Sequence, residues 1–208
     1  MFGYVLYGLG ISMTISANQG LAPWGVFHGG LAEIFGIELG TAAQFVGAAI
    51  VIVDILFGER VGWGTVGNVF FVGYFINLFG RLGFIPQFEN IWLSYSLMFA
   101  GMATISLASY FYLSAQIGAG PRDGLMIALT KRSKFTVGTI RNAIEVCVVI
   151  VGYFLGGKIG LGTLIMAIFL GRFIQLTFHL FKFDVRVVKH RYIDEDIKFL
   201  IGKFNKSV

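Results

Sequence analysis

Apolar residues occupy almost the whole chain in runs of roughly 15 to 25 residues, separated by short, glycine-rich polar segments. A helix of about 20 apolar residues crosses the ~30 Å hydrocarbon core of a bilayer. The pattern therefore predicts an all-α, polytopic membrane protein whose main partner is the lipid bilayer.

Two copies of one pattern make up the chain. A shift of 98 residues aligns 1–80 with 99–178 without a gap, and 21 of the 80 positions are identical. Leucine-rich helices align at many offsets, but glycine, proline and threonine do not, so the match indicates an internal repeat. The matched residues include Pro23 with Pro121, and the Gly-x-Gly-Thr motif at 62–65 with that at 160–163.

Each repeat is predicted to hold three membrane helices and one shorter helix. The first repeat with its connecting loop spans 1–90, the second spans 91–182, and a basic tail spans 183–208. The short helices, about 23–35 and 121–131, each begin at a proline. The second of them has only eleven residues, which make ~16 Å of helix, about half the thickness of a bilayer. We therefore interpret both short helices as re-entrant half-helices.

Charge distribution favours inverted repeats. Residues 18–40 contain no Lys or Arg, whereas the equivalent residues 116–138 contain four. Positive residues concentrate on the cytoplasmic side, so equivalent loops are expected on opposite sides, with the C-terminus cytoplasmic. Four crossings per repeat, giving parallel copies, is the alternative.

Composition agrees with a membrane protein. Hydrophobic residues make up 56% of the chain and charged residues 13%, where a soluble domain has roughly 25% charged residues. The net charge is +5, but seven of the sixteen Lys and Arg lie beyond residue 181. We therefore expect no nucleic-acid partner. The single cysteine, Cys147, reads as a small apolar helix residue.

Ordered polar motifs connect the chain to a family. They are GAGPRDGL at 118–125, RNAIE at 141–145, GGKIGLGT at 156–163 and LAPWGV at 21–26. Over roughly residues 1–180 these motifs resemble the YczE/YitT-like bacterial integral membrane proteins. The resemblance implies a bacterial cytoplasmic-membrane location and no assigned activity. Gly25 departs from it, because the family usually has Asp there.

Charged residues within apolar segments are costly and mark candidate sites. Arg141 and Glu145 are four residues apart and can pair on one helix face, either as a structural pin or as part of a polar cavity. Arg122 and Asp123 begin a half-helix, where Asp123 either caps the free N–H groups or helps contact a substrate.

Other polar and aromatic positions complete the candidate substrate site. Trp24 is expected in the interfacial belt or in a cavity wall, and His28 lies one turn into the first half-helix. Asn68, with Asn77 and Gln175, either bridges helices or lines a pore. Asp54, near the end of its span, is expected at the interface. No residues have metal-ligand or catalytic spacing, so we predict no metal, no cofactor and no enzyme activity.

The tail is predicted to form an amphipathic helix at the cytoplasmic surface. Asp194, Glu195 and Asp196 open it, which suits the positive end of the helix dipole. Its apolar face comprises Ile193, Ile197, Leu200, Ile201 and Phe204.

Three functions remain open from the sequence. The first is movement of a small solute by a transporter or permease. The second is a non-transporting accessory protein for an envelope or biosynthetic enzyme, and the third is a channel. A polar cavity between the half-helices would favour transport, and a dry centre would favour the accessory role. A homodimer is left open.

Overall fold

The computed structural model describes residues 1–135, 137–183, 188 and 190–204, with the backbone alone at 137, 138 and 199–204. These residues form helices and no strand, as predicted. A π-helical turn (Asn68–Val72) joins the fourth and fifth helices. The helices are α1 (Phe2–Ser16), α2 (Pro23–Phe35), α3 (Leu39–Leu56), α4 (Trp63–Gly67), α5 (Gly73–Leu82), α6 (Ile91–Ser114), α7 (Pro121–Lys131), α8 (Val137–Phe154), α9 (Leu161–Leu180) and α10 (Ile193–Phe204).

Three of the described helices, α3, α6 and α9, are long and apolar enough to cross a membrane. Large hydrophobic side chains point outward from all three, among them Phe45, Trp92 and Leu164. An apolar outer surface of this extent suits lipid rather than water. The predicted all-α membrane class is therefore confirmed.

The first helices of the two halves pack against each other in antiparallel directions. Gly3 lies against Tyr112, and Gly10 lies against Gly101. A Cβ on Gly10 would be 2.8 Å from the carbonyl oxygen of Gly101. Small residues at such crossings let helix backbones approach closely, which is the main source of packing energy between apolar helices in lipid.

Each short helix packs against a helix of the other half of the chain. Helix α2 packs on α8 of the second half, and α7 packs on α3 of the first half. Helix α5 packs on α1, and α9 packs in the same way on α6. Each short helix therefore depends on the other half of the chain for its packing.

Helix α3 shows how far each short helix extends. The start of α2 lies beside the middle of α3, where Trp24 packs on Val46 and Ile50. Helix α7 lies beside the last turn of α3, with Gly124 against Asp54 and Lys131 bound to Glu59 just beyond the end of α3. The two short helices therefore lie along different parts of α3.

Polar contacts define two ends of the molecule. At the first end, Glu38 binds Arg81 at 2.6 Å, and the amide of Leu21 donates to the carbonyl of Lys158. At the second end, Lys131 binds Glu59 at 2.7 Å. Asn77 bridges α5 and α3 by accepting from the Gly40 amide and donating to Thr41, so one of the two predicted roles of Asn77 is confirmed.

The repeated Gly-x-Gly-Thr motifs hold the unwound segments that precede the short helices. The Gly64 amide donates to the Ile117 carbonyl at 2.7 Å, and Thr65 Oγ1 donates to the Ala119 carbonyl at 2.6 Å. In the other half, the Gly162 amide donates to the Gln19 carbonyl at 2.7 Å. The predicted close-packing role is confirmed, although the partner is extended backbone rather than a helix.

Helix α10 is present as predicted and docks at the second end. Arg60 forms a bidentate pair with Asp194 and also contacts Glu195 at 2.8 Å. The amide of Ile193 donates to the Val61 carbonyl. The predicted apolar face at Leu200, Ile201 and Phe204 lies outside the residues whose side chains are described.

Candidate functional site

The first turns of the two short helices form the centre of the candidate site. Proline begins both helices, and an extended residue precedes each proline. The guanidinium of Arg122 lies over the ring of Trp24, 4.6 Å from its centroid. These two residues occupy equivalent positions of the two repeats. Such a cation–π contact contributes about 0.5–2 kcal/mol, more when water is excluded.

Trp24 and His28 are buried, at 9% and 4% exposure. Trp24 packs on Val46 and Ile50, with Leu125 beside them. Trp24 therefore packs inside the protein and does not present its ring to the outside, as an interfacial-belt residue would. His28 follows on the same helix with its ring centroid 6.2 Å from that of Trp24.

Four charged side chains surround the junction. Arg122 interacts electrostatically with Asp123, Glu145 and Arg141. The expected pair between Arg141 Nε and Glu145 Oε1 is present at 3.3 Å, with side-chain exposures of 53% and 26%. Arg122 is also exposed and Asp123 partly so. The cluster therefore combines two cations and two anions in an open setting.

Six of the seven predicted site residues thus lie around one junction, and Asn68 does not join them. Asn68 begins the π-helical turn, and no hydrogen bond within the described chain connects it to the cluster. Single π-helical turns are rare and often occur at functional sites. The sequence contains no proline or other marker that predicts this one.

A group of tyrosines beside the junction was not predicted from the sequence. Tyr7 Oη is 2.8 Å from Ser109 Oγ, and the Tyr7 ring centroid is 6.2 Å from that of Tyr112. Tyr7 interacts electrostatically with Arg122. The available signal was a difference between repeats: residue 7 aligns with Ile105, and Tyr112 aligns with Thr14.

The structure also differs from the prediction for Asp54. It is 3% exposed, although its position near the end of α3 predicted an interfacial residue. Helix α7 covers it, with Gly124 directly against its carboxyl group. Asp54 aligns with Gly152 of the second repeat, so again the polar residue stands where the two copies differ.

Two cavities border the short helices. A cavity of about 290 Å³ opens at the first end, between the last turn of α1 and helix α2, and includes Glu33 and Lys158 in its lining. An apolar groove of about 460 Å³ runs beside α2 and α3 and reaches Trp24, Leu125 and Val148. This groove is not the polar cavity that would favour transport, because its lining is apolar and does not include the four charged residues.

The pair of Arg141 and Glu145 is expected to be energetically coupled. Arg141→Ala and Glu145→Ala should each lower the melting temperature, and the double variant should lose less than the sum, by about 0.5–1 kcal/mol. Glu145 should matter more, because it is the less exposed partner and also faces Arg122. Thermal unfolding in nanodiscs measures all four proteins. Additive losses would mean that the contact contributes nothing.

Comparison with known proteins found one matching family and similar proteins from two bacteria. Residues 1–179 match the Family of unknown function (DUF6198). The Uncharacterized membrane protein YczE of Bacillus subtilis (strain 168) is 31% identical over 179 residues, which cover 84% of this chain and 81% of that protein. These matches confirm the family resemblance seen in the sequence motifs.

Two further relatives extend the comparison. An Uncharacterized protein of Haemophilus influenzae (strain ATCC 51907 / DSM 11121 / KW20 / Rd) is 27% identical over 175 residues, covering 84% of this chain and 79% of its own. The Uncharacterized protein YyaS of Bacillus subtilis (strain 168) is 25% identical over 166 residues, covering 78% and 82%. No solved structure matches the chain.

Proposed function

This chain belongs to the Family of unknown function (DUF6198), and three of its described helices are long and apolar enough to cross a membrane. We propose that it is a membrane permease. Its cargo is a small anionic or carbonyl-bearing solute, and it has no enzyme activity. The observation that carries this proposal is the meeting of two helix N-termini at Arg122 and Trp24.

Two inverted repeats explain the packing. A twofold axis in the membrane plane turns one half upside down, so equivalent helices run antiparallel, as α1 and α6 do. The same axis relates the packing of α2 on α8 to the packing of α7 on α3. In this arrangement α2 and α7 are re-entrant half-helices that return to the ends from which they entered.

The site chemistry favours a solute with a partial or full negative charge. A helix N-terminus carries the equivalent of about half a positive charge, and broken helices in secondary transporters direct such ends at anionic groups. Arg122 and Arg141 add two cations, and Glu145 pairs with Arg141. Asp123 offsets part of this field, so a carbonyl-bearing or zwitterionic group is accommodated as well as an anion.

The distribution of cations supports a proposal for the orientation and the location of the protein. The second end carries Arg60, Lys131 and Arg132, together with the docked tail, whereas Arg81 and Lys158 lie at the first end. Cation-rich loops face the cytoplasm. We therefore place the C-terminus in the cytoplasm and the protein in the bacterial inner membrane, as a multi-pass protein.

A ligand screen followed by uptake assays tests this function. Purified protein in nanodiscs is screened by thermal shift against small carboxylates, amides and zwitterions, and each hit is assayed in proteoliposomes. Arg122→Ala and His28→Ala are expected to reduce uptake about tenfold or more, because a charged hydrogen bond contributes about 1.5–3 kcal/mol.

The matched control is Arg81→Ala, which removes an exposed cation at the first end. Uptake that is unchanged in Arg122→Ala and His28→Ala would contradict the proposed site. Uptake without saturation would indicate a channel. Binding without uptake in any lipid would leave the accessory role as the better explanation.

A further inference from the structure

Asp54 is a buried carboxyl group without a hydrogen-bond donor on one of its oxygens. The residue is 3% exposed, and Oδ1 has no hydrogen-bond partner in the described part of the chain. It lies two residues before the end of α3, pressed against Gly124 in the first turn of α7. This site is separate from the Arg122 and Trp24 junction, although the same half-helix contributes to both.

Two amides in the turn that covers Asp54 already donate to another acceptor. The N–H groups of Asp123 and Gly124 donate to the Gly120 carbonyl, at 3.1 and 3.2 Å. Asp123 itself places a carboxyl group in the same turn. The first turn of α7 therefore gives Asp54 no hydrogen bond, and the cation of that turn, Arg122, lies over Trp24.

The charged groups around Asp54 are either acids or cations that already bind another group. Asp123 and Glu59 are the two charges that act on it electrostatically. The ammonium of Lys131 is bound to Glu59 at 2.7 Å, and the guanidinium of Arg132 donates to the Phe57 carbonyl at 2.8 Å. On the other elements packed against α3, the charged or titratable residues are His28 and Glu33 on α2 and Tyr74 and Arg81 on α5, and Arg81 pairs with Glu38.

An ionised carboxylate in this position would be buried, unpaired and next to two other acids. Burying an unpaired charge costs far more than burying a neutral acid, so such a group takes up a proton instead. We propose that Asp54 is a proton-binding site, and that proton binding is linked to the packing of α7 against α3. This inference does not rest on the proposed solute.

The direction of the linkage follows from the charges. Protonated Asp54 is neutral, and α7 packs closely against it through Gly124. When the proton leaves to water, the carboxylate is repelled by Asp123 and Glu59 and requires hydration. Release of the proton therefore separates the first turn of α7 from α3, so the packed arrangement is favoured at low pH and weakened as the pH rises.

Infrared spectroscopy of the protein in nanodiscs tests the proton directly. The wild-type protein is expected to show a carboxylic-acid C=O band that is lost between about pH 5 and about pH 9, the range that buried carboxyl groups cover. Asp54→Asn has nearly the same size and shape and should lack this band. Glu89→Gln, which changes an exposed carboxyl group in the loop before α6, is the matched control and should keep it.

Hydrogen–deuterium exchange of the 120–131 segment tests the linkage. After correction for intrinsic exchange, protection of this segment is expected to fall with rising pH in the wild type and to stay constant in Asp54→Asn. A wild type without the acid band at any pH, or an Asp54→Asn variant that retains it, would overturn the site. Equal pH dependence of exchange in both proteins would overturn the linkage.

Discussion

Gly152→Ala is expected to lower the stability of the protein by about 1–3 kcal/mol, the usual cost of overpacking. A Cβ at position 152 would lie 2.5 Å from the backbone nitrogen of Phe27 and 2.6 Å from its Cα. Because the obstacle is backbone, helix α2 as a whole must move away from α8. The melting temperature in nanodiscs measures the loss.

Gly171→Ala in α9 is the matched control, because a Cβ there meets nothing within 4 Å. Alanine has a higher helix propensity than glycine, so this variant should be as stable as the wild type or slightly more stable. Equal melting temperatures for Gly152→Ala and the wild type would show that α2 does not pack on α8 as described.

Site-directed labelling is expected to place Glu38 and Lys134 on opposite sides of the membrane. In a Cys147→Ser background, Glu38→Cys should react with an impermeant maleimide from outside the cell. Lys134→Cys should react only after the inner membrane is opened. The effect is all or none, because each helix bundle end faces a single compartment in the inverted arrangement.

Two further positions serve as controls for this topology. Lys158→Cys belongs to the first end and should label with Glu38→Cys, whereas Arg60→Cys belongs to the second end and should label with Lys134→Cys. Labelling of Glu38→Cys and Lys134→Cys from one side would reject inverted repeats and would require four crossings in each copy.

The sequence alone predicted the helices and most of their ends. The short helices were expected at about 23–35 and 121–131, and they occur at Pro23–Phe35 and Pro121–Lys131. These ends follow from local chemistry, because proline favours the first turn of a helix and Gly36 ends α2 in the left-handed conformation. The membrane class followed from apolar run length in the same way.

Only the tertiary structure determined which helices pack against each other. Lipid and the interior of a helix bundle are both apolar, so periodicity does not distinguish a lipid-facing residue from a buried one. Trp24 was therefore left open between the interface and a cavity wall, and Asp54 was assigned to the interface, although both are buried. The difference between the aligned repeats, Asp54 against Gly152, was the one sequence signal that set Asp54 apart.

The sequence identified part of the candidate site, and the tertiary structure determined the rest. The sequence by itself identified Arg122, Asp123, Arg141 and Glu145, because charges in apolar segments are costly and stand out. Only the tertiary structure brought Arg122 over Trp24, which lies 98 residues away in the sequence. No local pattern encodes that contact, because it depends on how the two halves pack through their glycine-lined helices.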